Sequence, residues 1–266
     1  MSWINFPYHI SIILLLWILA LGFLIVSYKK NKLISIANTL FFGGWIVLIY
    51  FIINLWIQLD RPPMRTLGET RLWYSAFIPL IGFITYFRWK FKWFLAHSFC
   101  MSALFLLINY LNPQAQSKTL MPALQSVWFI PHVLVYLFSY AVLSVSCIVA
   151  LKGVYEDFKG REITAHLKLA DNLVYIGFSF LTLGLLFGAL WAKEAWGHYW
   201  TWDPKEVWAF LTWMGYLIYI HYRFFHQNKS KQALYILAGA FIVLLVCWFG
   251  VNYLPIASNS VHTYTQ

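Results

Sequence analysis

Eight stretches of nearly continuous apolar sequence, separated by short polar or charged segments, run along the chain: residues 10–28, 34–57, 75–89, 92–110, 127–151, 172–190, 206–225 and 233–253. A helix needs about 20 apolar residues to cross about 30 Å of hydrocarbon, and most of these runs approach that length. The pattern predicts an all-α fold: a polytopic transmembrane helix bundle of about eight spans, forming a single integral membrane domain over residues 1–266. The third run is short, and the fourth is interrupted by His97. The first runs on from His9 to about Val26, long enough to remain as a spanning helix rather than a cleaved signal. Gly43–Gly44 and the GxxxG pair Gly184/Gly188 fall where close helix approach would be useful.

Composition strengthens this reading. With 61% hydrophobic and 11% charged residues, the chain has too little polar surface for a water-soluble globule of 266 residues. The net charge of +10 comes from short basic clusters between apolar runs, with no continuous stripe, so it indicates orientation in a lipid bilayer and no nucleic-acid partner. If the turns alternate sides, thirteen Lys and Arg residues fall on one side and six on the other, and the positive-inside rule puts both termini outside the cytoplasm. Segment 152–171 is then the main cytoplasmic connection and 109–125 a nearly uncharged external loop. Cys100, Cys147 and Cys247 all lie within apolar runs, too far apart for a CxxC or chelating motif, and are expected to be buried.

One stretch departs from the pattern. Trp191 to Trp208, WAKEAWGHYWTWDPKEVW, carries five tryptophans between runs six and seven and is expected to be an external loop. A tryptophan offers a rigid face and one N–H donor, so a row of them suits a flat aromatic macrocycle with polar edges, a porphyrin, better than a small ion. His132, at the start of run five, and His262, in the C-terminal tail, fall on the same predicted side. Two imidazoles beside an aromatic shelf could supply both axial ligands of a haem iron, and each could also be a simple interfacial polar residue. His221 lies about 22 Å along the seventh helix from Glu206, which suggests a second haem site, a polar transit point or a side chain snorkelling to the inner interface. His97 is a weaker version of the same case, and His9 and His166 read as terminal or loop residues. Asp203-Pro204-Lys205-Glu206 reads as a helix start, with Asp203 as N-cap, Pro204 at N1 and Glu206 closing a capping box. Trp208 and Trp213 read as packing or interfacial residues.

WGHYWTWDPKE resembles the tryptophan-rich "WWD" signature of haem-handling proteins in cytochrome c maturation, and most closely the CcsA/ResC type of system II. The likeness extends over PHVLVYLFSYA around His132, IHYR around His221 and GVNYLPIASNSVHTY around His262, and less distinctively over RPPMRTLGET at 61–70. The resemblance implies that His132 and His262 are external ligands of haem b, that Trp191, Trp196, Trp200, Trp202 and Asp203 belong to the haem-binding loop, and that His221 is the family's intramembrane histidine. It implies a CcsB/ResB-type subunit and apocytochrome c as partners, within a holocytochrome c synthase complex. No residue is expected to act as acid, base or nucleophile: the chain would position haem for thioether attachment to CxxCH motifs. A bacterial plasma membrane is expected, with a thylakoid membrane possible and the tryptophan loop outside in either case. The competing reading is a CcmC-like protein that hands haem to a chaperone. A transporter or structural subunit fits less well, because six of fifteen tryptophans lie within residues 191–213 where an interfacial belt would spread them.

Overall fold

The computed structural model describes residues 3–116, 126–226 and 230–255. Among these residues all regular structure is helical: α1 (Phe6–Ser27), α2 (Leu33–Leu59), α3 (Leu67–Trp89), α4 (Lys92–Leu111), α5 (Phe129–Phe158), α6 (Thr164–Trp196), α7 (Pro204–Phe225) and α8 (Ser230–Trp248), with two short 3-10 turns at Pro113–Gln116 and Gly250–Tyr253. Each α-helix covers one of the eight apolar runs. Six of them, α1, α2, α4, α5, α6 and α8, are long and apolar enough to cross a membrane. The chain divides into two compact units, Met1–Met121 and Pro122–Gln266.

In the first unit α1 packs on α2 and α3 on α4. The buried Trp17 indole donates to the Phe41 carbonyl at 3.2 Å and occupies the space that a side chain at Gly44 would need. Gly44 therefore permits the approach expected of it, whereas Gly43 faces open space. Helix α3 starts eight residues before its apolar run because TLGE at 66–69 is a capping box. Glu69, 1% exposed, also accepts the Arg65 N–H at 2.7 Å and a bidentate pair from Arg61 at 2.9 and 3.0 Å. This T-x-x-E signal, rather than the apolar run, marks the start of the helix.

In the second unit α5 and α6 form a long hairpin, α7 packs on α8, and α8 on α5. The α5–α6 seam is lined by small residues: Ser139 donates to the Gly177 carbonyl at 2.7 Å, and a Cβ on Gly177 would lie 2.5 Å from Leu143. At 30 and 33 residues, α5 and α6 extend about 45 and 50 Å, beyond the hydrocarbon thickness. Segment 152–171, expected as a connection, is thus helical except for Lys159–Ile163. Its charges favour helix: Glu156 pairs with Lys152 at i,i+4 (2.6 Å) and with Arg161 across the turn (2.8 Å). His9 and His166, read as terminal or loop residues, lie in helices α1 and α6. Cys147 and Cys247 are buried as expected, but Cys100 on α4 is exposed.

The hydrogen bonds from Lys152 and then Arg161 hold the Glu156 carboxyl down at about 2, from an ordinary 4.5. A lowered carboxyl pKa contributes stability that is complete above the unfolded value and fades as pH falls through the folded one. Thermal unfolding in detergent should accordingly weaken between pH 4.5 and 2, and Glu156→Gln should flatten that acid limb. An unchanged limb in the variant would assign it to other groups.

Candidate functional site

The tryptophan-rich stretch joins two helices and is mostly helical itself. Trp191 to Trp196 form the last turns of α6, and Lys205 to Trp208 the first turn of α7, so the irregular part is Gly197–Asp203. Gly197 ends α6 with a left-handed backbone (φ 84°), a conformation that costs glycine nothing. Trp202 adopts φ 60° just before the α7 cap, where an L side chain carries roughly 1–2 kcal/mol of strain. It is also 65% exposed.

What holds this turn is the acidic pair of DPKE. The Asp203 side chain accepts the Lys205 N–H at 2.9 Å, and Glu206 Oε2 accepts the N–H groups of Thr201 (2.8 Å) and Asp203 (3.1 Å) and the Thr201 hydroxyl (3.3 Å). The expected capping box is present. Both acids are buried, and Glu206 organises the loop more extensively than a cap alone requires. Asp203→Asn should cost little thermal stability in detergent, because Asn also caps, while Asp203→Ala should cost about 1 kcal/mol. Equal losses would show that the charge of Asp203, rather than its capping, is what the loop needs.

His132 lies in the first turn of α5, against the end of α6. Its Nδ1 is 2.9 Å from the Gly184 carbonyl oxygen, which can only accept, so the proton is on Nδ1 and the ring lone pair on Nε2. The ring lies 5.4 Å from Trp191 at an interplanar angle of 25°, and edge-on to Tyr136 at 4.8 Å. Gly188 makes the seat: a Cβ there would come within 2.8 Å of Cε1 and 2.9 Å of Nδ1. Gly184 does the same for Tyr136, whose ring atoms would lie 3.1 Å away. The GxxxG pair serves close helix approach as expected, and also accommodates the two rings. The sequence reading missed this role and that of Tyr136, although His132 and Tyr136 at i,i+4 and Gly184 and Gly188 at i,i+4 on the facing helix were a usable signal.

Around His132 the structure gathers Trp191 and, beyond it, Trp196, whose rings meet edge-on at 4.7 Å, while Phe129 packs on Trp191 at 5.3 Å. Ser126 donates to Glu194 at 2.6 Å and ties the start of α5 to the end of α6. Trp200 and Trp202 form a second edge-on pair at 5.8 Å, and Trp202 reaches Phe210 of α7 at 6.1 Å. The Trp200 Nε1 is buried and has no hydrogen-bond partner among the described residues. Trp213 is a packing residue, as expected: it donates to Thr182 at 3.0 Å and stacks on Phe178 and Phe210.

His221 does not join this group. It is exposed near the far end of α7, with Nδ1 2.9 Å from its own helix's Leu217 carbonyl. His262 lies outside the described residues. The geometry is therefore an imidazole of fixed tautomer set against an indole shelf, with an unsatisfied indole donor in the adjoining turn. That combination suits a flat apolar ligand carrying a metal ion and hydrogen-bond acceptors at its edge.

The family model "Cytochrome C assembly protein" matches residues 64–257. The cytochrome c biogenesis protein CcsA of Nymphaea alba is 33% identical, with 80% of this chain and 82% of that protein covered. Its namesake in Nasturtium officinale is 28% identical over 97% of this chain and 96% of that one. The solved "Cytochrome c Heme Lyase CcmF" superimposes with a TM-score of 0.65 at 17% identity, covering 98% of this chain and 52% of that chain, a likeness of fold alone to a protein about twice as long. The chain belongs to the cytochrome c assembly protein family and is an integral membrane protein of cytochrome c maturation.

Proposed function

We propose that this chain is the haem-handling subunit of a cytochrome c synthase complex, and that the His132 end of its second unit holds haem b as substrate while thioether bonds to apocytochrome c are made. The observation that carries the reading is the Nδ1–H···O=C bond from His132 to Gly184, 2.9 Å long. Histidines that bind metals characteristically donate their second ring nitrogen to a carbonyl or carboxylate, which fixes the tautomer and raises the basicity of Nε2. The residues fit the group. Trp196 offers a partly exposed apolar face, the buried Trp191 backs the imidazole, Gly188 admits the ring, and the orphaned Trp200 N–H suits a propionate oxygen at the macrocycle edge.

His132, together with His262 of the C-terminal tail, would hold the haem iron. The tryptophan turn lies on the side away from the basic clusters, outside the cytoplasm of a bacterial plasma membrane or lumenal in a thylakoid. His221 is an intramembrane haem contact that completes its ligation from a CcsB/ResB-type partner. The chain provides position and no acid or base: it raises the effective concentration of the CxxCH thiols next to the vinyl groups. Each thiol adds across a vinyl double bond, with sulfur bonding to one carbon and the proton going to the other, so no oxidant is consumed. The test is the visible spectrum of the purified protein and its His132 variant, together with thioether formation assayed with partner subunit and apocytochrome present and no carrier chaperone.

A further inference from the structure

At the end of α7 remote from the tryptophan turn, one carboxylate takes three donors. Arg223 grips Asp171 of α6 with two bonds, Nε to Oδ1 at 2.9 Å and Nη2 to Oδ2 at 2.8 Å, and the Tyr219 hydroxyl donates to Oδ1 at 2.7 Å. The ion-paired side chains are 14% and 17% exposed. A bidentate pair in such surroundings is geometrically demanding: it holds only when the two helix faces are in one register.

At about 100° per residue, Tyr219 and Arg223 share a face of α7, whereas His221 lies about 160° round the axis from each. The burial pattern agrees. Tyr219 is 1% exposed, while His221 lies in an exposed apolar stripe with Ile218 (53%), Phe224 (72%) and Phe225 (70%). The His221 Nδ1–H donates to the Leu217 carbonyl, so its Nε2 acceptor is directed outward from the helix. Another polar tie between α6 and α7, Trp213 to Thr182, lies six residues before Tyr219 and ten before Arg223 along α7.

We infer that the Asp171–Tyr219–Arg223 clamp is a positioning device for His221: by fixing the rotation of α7 against α6, it aims the imidazole away from the second unit, where a haem or partner-held haem would meet it. The inference rests on the proposed haem contact of His221. The clamp residues touch no haem themselves, and they act only through the azimuth of the helix.

The experiment uses the full chain, made in its native membrane with its own partner subunits and purified in mild detergent. Haem content and spin state are read with and without imidazole for wild type, His221→Ala, Asp171→Asn, and the exchange Asp171→Arg with Arg223→Asp. The haem lost in His221→Ala defines the His221-dependent fraction. Outer-shell substitutions at metal sites cost roughly 10–100-fold in affinity, and Asp171→Asn should cost about tenfold of that fraction, shift the remainder to high spin, and recover on adding imidazole. The exchange should restore it without imidazole. Where Asp171→Asn does not accumulate, Tyr219→Phe keeps the ion pair and should show a smaller loss, also reversed by imidazole. Wild-type haem in the clamp variants, or a loss that neither imidazole nor the exchange reverses, overturns the positioning role and leaves His221 as a haem contact. Wild-type haem in His221→Ala itself overturns that reading, and this inference with it.

Discussion

His132→Ala is expected to purify as a folded membrane protein with little haem and to abolish holocytochrome c formation, a loss of at least about 100-fold. The size follows from what the ring does. It is the group on the tryptophan-lined end whose lone pair the Gly184 carbonyl fixes at Nε2, and alanine leaves neither ligand nor hydrogen bond. The fold should survive, because the hairpin is held elsewhere by Ser139 on Gly177 and by Ser126 on Glu194. Millimolar imidazole should enter the space left by the ring and restore part of the bis-imidazole spectrum and part of the activity. A variant that keeps the wild-type spectrum would remove His132 as ligand, and the proposed haem site with it.

Gly188→Val should cost nearly as much without touching any candidate ligand. A Cβ at this position would stand 2.8 Å from His132 Cε1, and the valine methyl groups would reach further into the ring. Overpacking of this kind typically costs about 1–3 kcal/mol, and the easiest relief is rotation of the imidazole away from the Gly184 carbonyl. We expect a low-haem, high-spin protein, with Gly188→Ala intermediate and a control change at Gly43, which faces open space, indistinguishable from wild type. Spin state read by visible spectroscopy separates this outcome from general misfolding, which would lower yield without changing the spectrum of the haem retained. If Gly188→Val binds haem like wild type, the seat is not what orients His132.

The two variants differ in how legible their sites were. His132 could be singled out from sequence because it opens an apolar run next to a proline and matches a motif. Gly188 could not be read fully. As half of GxxxG it signals close packing, but which ring fills the space depends on the rotational register of α5 against α6, set by contacts spread along two helices of 30 and 33 residues. DPKE was read correctly because a capping box is local, with every bond closing within six residues, from Thr201 to Glu206. TLGE at 66–69 is equally local, but it precedes the apolar run, so the run by itself does not mark where α3 starts. The clamp lay beyond any local reading: Asp171 and Arg223 are 52 residues apart, and both sit where charged residues normally mark membrane boundaries.

The sequence by itself determined the helical membrane architecture, because the length and apolarity of a run suffice to stabilise a helix in lipid whatever its neighbours. It also singled out imidazole and indole as the residue types of the proposed haem site. The tertiary structure alone decided that Trp191 and Trp196 belong to a helix, that the open turn shrinks to Gly197–Asp203, and that His132 packs on Trp191 while the His221 ring is exposed. The physical reason is that helix packing fixes an angle about each axis, and a rotation of about 100° per residue turns the same sequence position from shelf to lipid.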